Sequence, residues 1–276
     1  MSKTPEPDRY AVIGHPITHS RSPWIHAQFA QQTGQHLRYE AIDAAPGELR
    51  QRLREFFARG GRGLNVTVPH KQAVLEHIDE LSERARIAGA VNTIVREADG
   101  RLRGDNTDGV GFVRDLARNH GVSIAGQRVL LLGAGGAARG LLAPLLALAP
   151  SELVIANRSP ARALELAQLF AALGPVRGAG FAELDSAPFE LIVNATAAGL
   201  HDELPPLPVS VLRRARICYD LGYAHGTTRF LEWAREHGIA RCISGAGMLV
   251  EQAAESFLLW RGVRPETASV LAAIGL

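Results

Sequence analysis

With 276 residues, 46% of them apolar and 21% charged, the chain can bury the core of one large domain or two ordinary ones. Its 30 basic and 28 acidic residues are interspersed and leave a formal charge of +2, which argues against a nucleic-acid partner. The amino terminus has no apolar stretch typical of a signal peptide, and the most apolar run, GLLAPLLALAP, is short and contains a proline. We therefore expect a globular cytoplasmic protein that does not bind membranes.

Short apolar runs alternate with helical patterns along the chain, which is typical of an α/β fold. In the first part, strands are predicted at RYAVIG, LRYEAI, RGLNVTV and AVNTIVRE. In the second part, they are predicted at QRVLLLG, ELVIAN, FELIVNAT and RICYDLG. A helix-like stretch at 109–120 separates the two groups, and 248–276 reads as helical again. Two sheets in two domains are expected, one of residues 1–108 plus 248–276 and one of residues 109–247.

The segment LNVTVPHK predicts a strand that leads into a helix. Apolar and polar residues alternate from Leu64 to Val68, so that a strand would have one apolar face. Pro69 suits the first turn of a helix, and apolar residues continue at helical spacing as far as Leu81. Lys71 is therefore expected in the first helical turn, where the helix dipole disfavours a positive charge.

Lys71 is unusual because Lys3 is the only other lysine of the chain. A solvated surface position is the ordinary fate of a lysine. A chain that uses arginine almost everywhere nevertheless favours a task that arginine cannot perform, such as releasing a proton near neutral pH. Asp108, at the end of the polar run GDNTDG, is a candidate to orient the amine, although the same run is typical of an Asx-type turn.

Three other polar residues carry weaker signals. Ser20 and Ser22 lie on one side of an extended segment, but Ser22 before Pro23 also suits a helix N-cap. Asn92 lies in an apolar run, where a buried amide needs a hydrogen-bond partner.

The two cysteines, Cys218 and Cys242, have no CxxC spacing and no histidine cluster, so neither a disulfide framework nor a metal site is expected.

A glycine-rich loop follows the first strand of the second group. VLLLGAGGAARGLLAPLL places an apolar strand before Gly133, Ala134, Gly135, Gly136 and Ala137, and a helix after them. This is the GxGxxG/A context, in which a bare backbone and a helix N-terminus bind a pyrophosphate. A nucleotide site is favoured over a structural turn.

The end of the next strand indicates which nucleotide binds. An NAD site usually has a carboxylate there, about 20 residues beyond the glycines. This chain has Asn157, Arg158 and Ser159, followed by Arg162. Guanidinium groups can hold an adenosine 2′-phosphate through charge-assisted hydrogen bonds, so NADP is favoured over NAD. Solvated surface arginines are the alternative interpretation.

Taken together, the ordered motifs resemble those of the shikimate dehydrogenase family. They are GHPITHSRSP, NVTVPHK, AGAVNT, GDNTDG, GAGGAARG, NRS, NAT, YDLGY and GAGMLVEQA, and they run from about Tyr10 to the last helix. The resemblance implies reversible reduction of 3-dehydroshikimate to shikimate with NADPH. It also implies an amino-terminal substrate domain with an open mixed sheet, a Rossmann-like NADP domain, a cleft between them and carboxy-terminal helices that return to the first domain.

The resemblance also implies roles for individual residues. Lys71 and Asp108 would be the catalytic pair, with hydride delivered to the C3 carbonyl and Lys71 as general acid and base. Substrate hydroxyls and carboxylate would contact Ser20, Ser22, Thr67, Lys71, Asn92, Asp108, Tyr223 and Gln252. NADP would contact Gly133 to Ala137 and Asn157 to Arg162, with Leu221 and Gly245 near the nicotinamide. No metal is implied, and monomer and homodimer both remain open.

Three positions depart from the family pattern. His70 replaces the expected Phe or Tyr, Leu221 replaces a frequent methionine, and Glu251 stands where a small or neutral residue is commoner. One alternative is therefore a quinate/shikimate dehydrogenase with relaxed cofactor use. Another is a non-catalytic paralogue that binds nucleotide, although the presence of both Lys71 and Asp108 argues against it.

Overall fold

The computed structural model describes residues 6–184, 187–198, 203–223 and 226–275. The chain divides into two compact units. The first contains the residues up to Gly111 together with Leu249–Ala273, and the second contains Phe112–Met248 and, of the described carboxy-terminal residues, Ile274 and Gly275. Within the described ranges, no helix is both long enough and apolar enough to cross a bilayer.

The first unit is built on a mixed six-stranded sheet. Its strands are β1 (Asp8–Gly14), β2 (Leu37–Asp43), β3 (Gly61–Val66), β4 (Glu80–Leu81), β5 (Thr93–Arg96) and β6 (Leu102–Asp105). Its first helices are α1 (Ser22–Thr33), α2 (Leu49–Ala58), α3 (Glu83–Ala88) and α4 (Asp108–Arg114), the last of which continues into the second unit. The strand order is β2-β1-β3-β5-β6-β4. Because β1, β2 and β3 are parallel, their carboxyl ends share one edge of the sheet, and the segments that follow them meet there.

The second unit has a parallel six-stranded sheet. After a π-helical turn at Asp115–Asn119 come β7 (Arg128–Leu132), α5 (Gly136–Ala147), β8 (Glu152–Asn157), α6 (Pro160–Phe170), β9 (Val176–Gly180), β10 (Leu191–Asn194), α7 (Val209–Leu212), β11 (Ile217–Asp220), α8 (Arg229–Glu236) and β12 (Arg241–Ser244). The order β9-β8-β7-β10-β11-β12 is that of the doubly wound dinucleotide-binding fold. Successive residues of β7 alternate between two apolar clusters, one on each face of the sheet.

The last two helices are α9 (Ala246–Arg261) and α10 (Ala268–Ala273), and from Leu249 onward they belong to the first unit. Trp260 of α9 donates to the carbonyl oxygen of Ile94 in β5 at 2.9 Å. The Trp260 ring also lies 4.8 Å from that of Tyr10 in β1. These contacts fix the end of α9 on the mixed sheet, as the sequence predicts.

The predicted two-sheet α/β architecture is confirmed, and every predicted strand is present. Four strands were not predicted from apolar runs: β4, β6, β9 and β12. Each contains two to five residues, at least one of them charged, so its pairing depends on neighbouring strands rather than on its own hydrophobic pattern.

A buried histidine gives the first unit a pH-dependent stability. His26 of α1 is 1% exposed, and its ring stacks on that of Tyr39 at 4.1 Å. Burial disfavours the imidazolium and lowers the pKa of His26 to about 3, a shift that the Asn65 side chain opposes only in part. The unfolded chain, in which His26 has its ordinary pKa of 6.5, therefore binds the proton more readily than the folded protein. Stability is unaffected above the unfolded pKa and decreases as the pH falls through the window from 6.5 towards 3.

We expect His26→Leu to remove this dependence. Between about pH 8 and about pH 5 the wild type should lose roughly 2 kcal/mol more unfolding free energy than the variant. Urea unfolding at both pH values measures this difference, whatever the variant's stability at neutral pH. The exposed His36, changed to Gln, is the control and should keep the wild-type dependence. Parallel pH profiles for the wild type and His26→Leu would contradict the assignment.

Candidate active site

Lys71 lies in a turn that follows β3 rather than in a helix. The carbonyl oxygen of Lys71 accepts from the backbone N–H of Val91 at 2.8 Å, so it is not used by a helical bond from Leu75, whose N–H donates to Gln72. A 3₁₀-helix begins only at Ala73. The predicted position in a first helical turn is therefore wrong, because the Lys71 carbonyl pairs with another segment.

The strand before this turn also differs from the prediction. β3 ends at Val66, and Val68 is 39% exposed instead of belonging to an apolar face. Asn65, predicted on the polar face, is buried and donates to Ser256 at 2.9 Å. The alternating pattern fails because both faces of β3 are covered, and the buried amide is satisfied by hydrogen bonds.

The amine of Lys71 meets the carboxylate predicted to orient it. Lys71 Nζ lies 2.6 Å from Asp108 Oδ2, and the two side chains are only 12% and 5% exposed. Asp108 is the first residue of α4, and its backbone N–H donates to the Asn106 side chain at 3.2 Å. The sequence separation of 37 residues is closed because β3 and β6 both pair antiparallel with β5, so their carboxyl ends lie at the same edge of the sheet. An ammonium beside a carboxylate in this sheltered position is a proton donor with a fixed orientation.

Asn92 fixes the other oxygen of the carboxylate. Its side-chain oxygen accepts from the Thr107 N–H at 2.8 Å and from the Thr93 hydroxyl at 2.9 Å. The amide nitrogen must then point the other way, and it donates to Asp108 Oδ1 at 2.8 Å. Both oxygens of Asp108 therefore have a donor, which suits the ionised form of the group.

Gln252 joins this cluster from α9. Its side-chain oxygen accepts from Asn92 Nδ2 at 3.3 Å, and its nitrogen donates to the carbonyl oxygen of Leu249 at 2.8 Å. Gly111 of α4 makes the approach possible, because a Cβ there would lie 2.6 Å from the backbone nitrogen of Gln252. The structure thus brings together Lys71, Asn92, Asp108 and Gln252 within the first unit.

The remaining predicted substrate residues of the first unit lie at the carboxyl edge of the mixed sheet. Thr67 directly follows β3, and its N–H donates to the carbonyl oxygen of Ile13 in β1 at 2.9 Å. Ser20 lies in the segment after β1, and its hydroxyl accepts from the N–H of Ser22 at 3.3 Å. Ser22 is the first residue of α1 and Arg21 holds the N-cap position, so the alternative N-cap role of Ser22 is wrong. No hydrogen bond in the described part of the chain joins either serine to Lys71 or Asp108.

The glycine loop of the second unit connects β7 to α5. Gly133 has a φ of 105°, and a Cβ on it would lie 3.0 Å from the carbonyl oxygen of Ala195, so this position requires glycine. Gly135 is the N-cap of α5, has open space where a Cβ would be, and provides no side-chain acceptor for the helix. The free N–H groups of the first turn suit the pyrophosphate of a dinucleotide. Ala134 of this loop and Ala137 in the first turn of α5 are half-buried.

The predicted phosphate-binding arginines lie after β8. Asn157 ends this strand, and its side chain donates to the carbonyl oxygen of Ser159 at 3.1 Å, which shapes the turn into α6. Arg158 and Arg162 are exposed, and the described residues provide no ion pair for either. Two available guanidinium groups beside a helix N-terminus suit a phosphate monoester.

Leu221, Tyr223 and Gly245 follow the last two strands of the second unit. The N–H of Gly245 donates to the carbonyl oxygen of Gly222 at 3.1 Å. Asp220 holds the same turn by accepting from Gly222 N–H at 3.0 Å and from the Thr228 hydroxyl at 2.6 Å. Burial raises the pKa of Asp220 above its usual value, although these donors oppose the shift. Leu221 and Tyr223 are half-buried.

Two of the departures from the family pattern have partners in the first unit. His70 is 1% exposed, and its Nε2 donates to the carbonyl oxygen of Ala44 at 2.7 Å, so it anchors the Lys71 turn beside β2. Glu251 is 3% exposed, pairs with Arg264 at 3.1 Å, and accepts from the Thr267 hydroxyl at 2.6 Å. Both substitutions therefore preserve local order, and neither removes a member of the cluster around Asp108.

The sequence did not predict Arg84 or Ser256, which contact residues next to the cluster of Lys71, Asn92, Asp108 and Gln252. Arg84 pairs with Asp105, three residues before Asp108, and with Glu255, three residues after Gln252. Ser256 contacts Asn65, Thr93 and Thr107 through its hydroxyl. Nothing in the sequence distinguishes Arg84 from the many other arginines, because its role depends on long-range contacts.

Comparisons with known proteins agree with this arrangement. Residues 12–94 match the shikimate dehydrogenase substrate binding domain, residues 115–199 match shikimate / quinate 5-dehydrogenase, and residues 245–274 match the shikimate 5′-dehydrogenase C-terminal domain. The shikimate dehydrogenase (NADP(+)) of Alkalilimnicola ehrlichii is 55% identical over 97% of this chain and 98% of its own length. That of Methylococcus capsulatus is 56% identical over 96% of this chain and 95% of its own.

A solved structure leads to the same family. Shikimate 5-dehydrogenase from Thermus thermophilus, in complex with NADP(H) and shikimate, has 37% sequence identity and a TM-score of 0.83. The match covers 98% of this chain and 100% of that one. With three family models and curated relatives spanning nearly its whole length, this chain belongs to the shikimate dehydrogenase family.

Proposed function

We propose that this chain catalyses the reversible NADP-dependent interconversion of 3-dehydroshikimate and shikimate, with Lys71 as general acid and base and Asp108 as its partner. The observation that carries the proposal is the sheltered contact of 2.6 Å between Lys71 Nζ and Asp108 Oδ2, in a chain with only one other lysine. The relatives named shikimate dehydrogenase (NADP(+)) support the choice of substrate and cofactor.

The polar groups around the pair support a small polyhydroxylated substrate. Asn92, Asp108 and Gln252 form one hydrogen-bonded cluster, and Ser20, Ser22 and Thr67 lie in the segments at the carboxyl edge of the same sheet. Hydroxyl and amide groups in a sheltered site discriminate strongly against analogues that leave them unpaired. We assign these side chains, with Tyr223, to the substrate hydroxyls and carboxylate.

The second unit supports NADP binding. The uncapped amino end of α5 after Gly133 provides N–H groups for the pyrophosphate. Arg158 and Arg162, at the amino end of α6, would hold the 2′-phosphate, and Leu221 and Gly245 would line the nicotinamide end. Bound NADPH supplies the hydride that reduces the carbonyl carbon.

Lys71 donates the proton during reduction and accepts it during oxidation. During reduction, the ammonium stabilises the negative charge that develops on the carbonyl oxygen and donates a proton to it. During oxidation, the neutral amine accepts the proton of the substrate hydroxyl. Asp108, held by Asn92, keeps the amine in one orientation and can accept a hydrogen bond from the same or a neighbouring hydroxyl.

A panel of two substrates and two cofactors tests the proposal. The initial rate of NADPH or NADH formation is measured with shikimate or quinate and with NADP or NAD. We expect turnover with shikimate and NADP and a kcat/KM lower by about tenfold or more for each of the other pairs. Comparable rates with quinate or NAD would favour the quinate/shikimate alternative. Nucleotide binding without turnover of either substrate would indicate a non-catalytic paralogue.

We also propose that the enzyme works in the cytoplasm. Both cysteines, Cys218 and Cys242, are free thiols, which is the usual state in a reducing compartment. The substrate and its cofactor are the partners that the site requires. Cell fractionation with antibody detection of the chain is the direct measurement.

A further inference from the structure

We propose that Arg84 is a positioning residue for the catalytic pair, and that it acts by tying the Asp108 segment to the helix that carries Gln252. The expected effect on turnover rests on the proposed function, whereas the expected effect on the order of the Asp105–Asp108 segment rests on the geometry alone. In the described part of the chain, Arg84 of α3 forms no hydrogen bond or ion pair with Lys71 or Asp108. It contacts Asp105, three residues before Asp108, and Glu255, three residues after Gln252.

The first contact of Arg84 is Asp105, at the end of β6. Arg84 Nε and one terminal nitrogen donate to the two oxygens of Asp105 at 2.5 and 3.0 Å, which is a bidentate ion pair. Asp105 is 3% exposed. Burial alone would raise the pKa of Asp105, but hydrogen bonds from Arg84 and Ser82 outweigh burial and hold the pKa below its usual value.

Asp105 also fixes the backbone of the segment that leads from it to Asp108. Its Oδ1 accepts from the N–H of Asn106 at 2.7 Å. The Asn106 side chain accepts from the N–H of Asp108 at 3.2 Å and donates to the carbonyl oxygen of Ala90 at 2.9 Å. Three consecutive amides, those of Asn106, Thr107 and Asp108, are thus held by side-chain oxygens. The start of α4 is fixed by side chains rather than by a ladder of backbone bonds.

The second contact of Arg84 is Glu255 of α9. The remaining terminal nitrogen of Arg84 donates to one Glu255 oxygen at 3.0 Å, and Arg264 donates to the other Glu255 oxygen at 2.7 Å. Gln252 lies about one helical turn before Glu255, and it meets Asn92 on the side of the catalytic pair. Arg84 therefore holds α9 and the Asp105–Asp108 segment together at a second point, behind the contact between Gln252 and Asn92.

Only a guanidinium can make this connection. Its planar fork presents donors to both oxygens of one carboxylate and still has a nitrogen for a second acid, whereas an ammonium is a point charge. Arg84→Lys keeps a positive charge near the buried Asp105 and the partly buried Glu255 but loses the bridge between them. The variant therefore separates the positioning role from charge balance.

Arg261 provides a matched control on the same unit. It lies at the end of α9 and donates to Asp8 at 2.5 Å and to Gln35 at 2.7 Å, so it too joins an acid and a second acceptor. Among the residues that the structure describes, no hydrogen bond joins its partners Asp8, Gln35 and Tyr10 to Lys71, Asn92, Asp108 or Gln252. Arg261→Lys should lower the melting temperature as Arg84→Lys does, without a kinetic change.

The kinetic experiment compares these two variants with the wild type. We expect Arg84→Lys to lower kcat for shikimate oxidation by about 10- to 100-fold, because a small misplacement of a catalytic group has effects of this order. The KM for NADP should stay unchanged, since the nucleotide residues belong to the other unit. Arg261→Lys should keep the wild-type kcat. Equal kcat values for Arg84→Lys and the wild type would overturn the proposal.

Amide hydrogen exchange provides a readout that needs no turnover. In Arg84→Lys, we expect the amides of Asn106, Thr107 and Asp108 to exchange about tenfold faster or more, with wild-type rates across β1 and β3. Unchanged exchange at these three amides would overturn the positioning role even if shikimate is the substrate. Faster exchange there in a protein that does not oxidise shikimate would leave the positioning role standing and refute the proposed function.

Removing the guanidinium altogether needs a second change. Arg84→Met leaves Asp105 buried without its main partner and is expected to unfold part of the unit. The double variant Arg84→Met with Asp105→Asn removes both charges while keeping acceptors for Ser82 and Asn106. It should fold, show the faster exchange, and have the same reduced kcat as Arg84→Lys. A folded double variant with the wild-type kcat would contradict the proposal.

Discussion

Lys71→Met is expected to lower kcat for shikimate oxidation by about 10²- to 10⁴-fold, the range over which a general acid–base residue contributes. The KM for shikimate should change much less, because the lost interaction belongs mainly to the transition state. Methionine matches the length of the lysine stem but has no proton to exchange. Steady-state kinetics at several pH values, with melting temperature as a check on folding, measure the effect.

Lys71→Arg distinguishes proton transfer from charge alone. An arginine can keep the ion pair with Asp108, but it does not release its proton in a protein. If Lys71 exchanges a proton with the substrate, Lys71→Arg should be nearly as slow as Lys71→Met. Recovery of most of the wild-type kcat in Lys71→Arg would mean that the site needs only a positive charge.

The neighbouring exposed Gln72 provides the control, since Gln72→Met introduces the same side chain beside the site. Its kcat should match the wild type. Because Lys71→Met leaves the Asp108 carboxylate buried beside Asn92 alone, a loss of stability is also expected. Lys71→Met with Asp108→Asn should restore stability without restoring turnover. Near-normal turnover in any folded variant without Lys71 would refute its role.

The two residues proposed as the catalytic pair can be picked out from the sequence, but the structure around them cannot. Lys71 stands out because lysine is so rare here, and Asp108 because it ends a polar run. Their contact across 37 residues depends on the pairing of β3, β5 and β6, which no local pattern contains. The spacing of apolar residues predicts a helix at Lys71, because it does not reveal that the N–H of Val91 donates to the Lys71 carbonyl oxygen.

The geometry of the proposed nucleotide site follows more directly from the sequence because the site is local. Strand, glycine loop and helix are consecutive, and the positive φ of Gly133 is a property of the motif itself. The Arg84 bridge is the opposite case, since its partners Asp105 and Glu255 are 21 and 171 residues away. Support of this kind is visible only after the chain has folded.

Removing the two arginines after β8 is expected to abolish the preference for NADP. Each charge-assisted hydrogen bond to a phosphate contributes about 1.5–3 kcal/mol, so Arg158→Ala with Arg162→Ala should lower kcat/KM for NADP by about 10²-fold or more. The value for NAD should change by less than about threefold, because NAD has no 2′-phosphate for these groups to hold. Steady-state kinetics with each cofactor at saturating shikimate measure both values.

The pattern of losses in this double variant identifies the cause. At saturating NADP the kcat should remain near the wild-type value, since Lys71 and Asp108 belong to the other unit. Arg213, exposed after α7 and before β11, is the control, because the amino end of β11 lies at the opposite edge of the parallel sheet from the carboxyl end of β8. Arg213→Ala should leave both cofactors unaffected. Equal losses for NADP and NAD in the double variant would mean that the arginines support the loop rather than bind the phosphate. No loss for either cofactor would assign the 2′-phosphate to other residues.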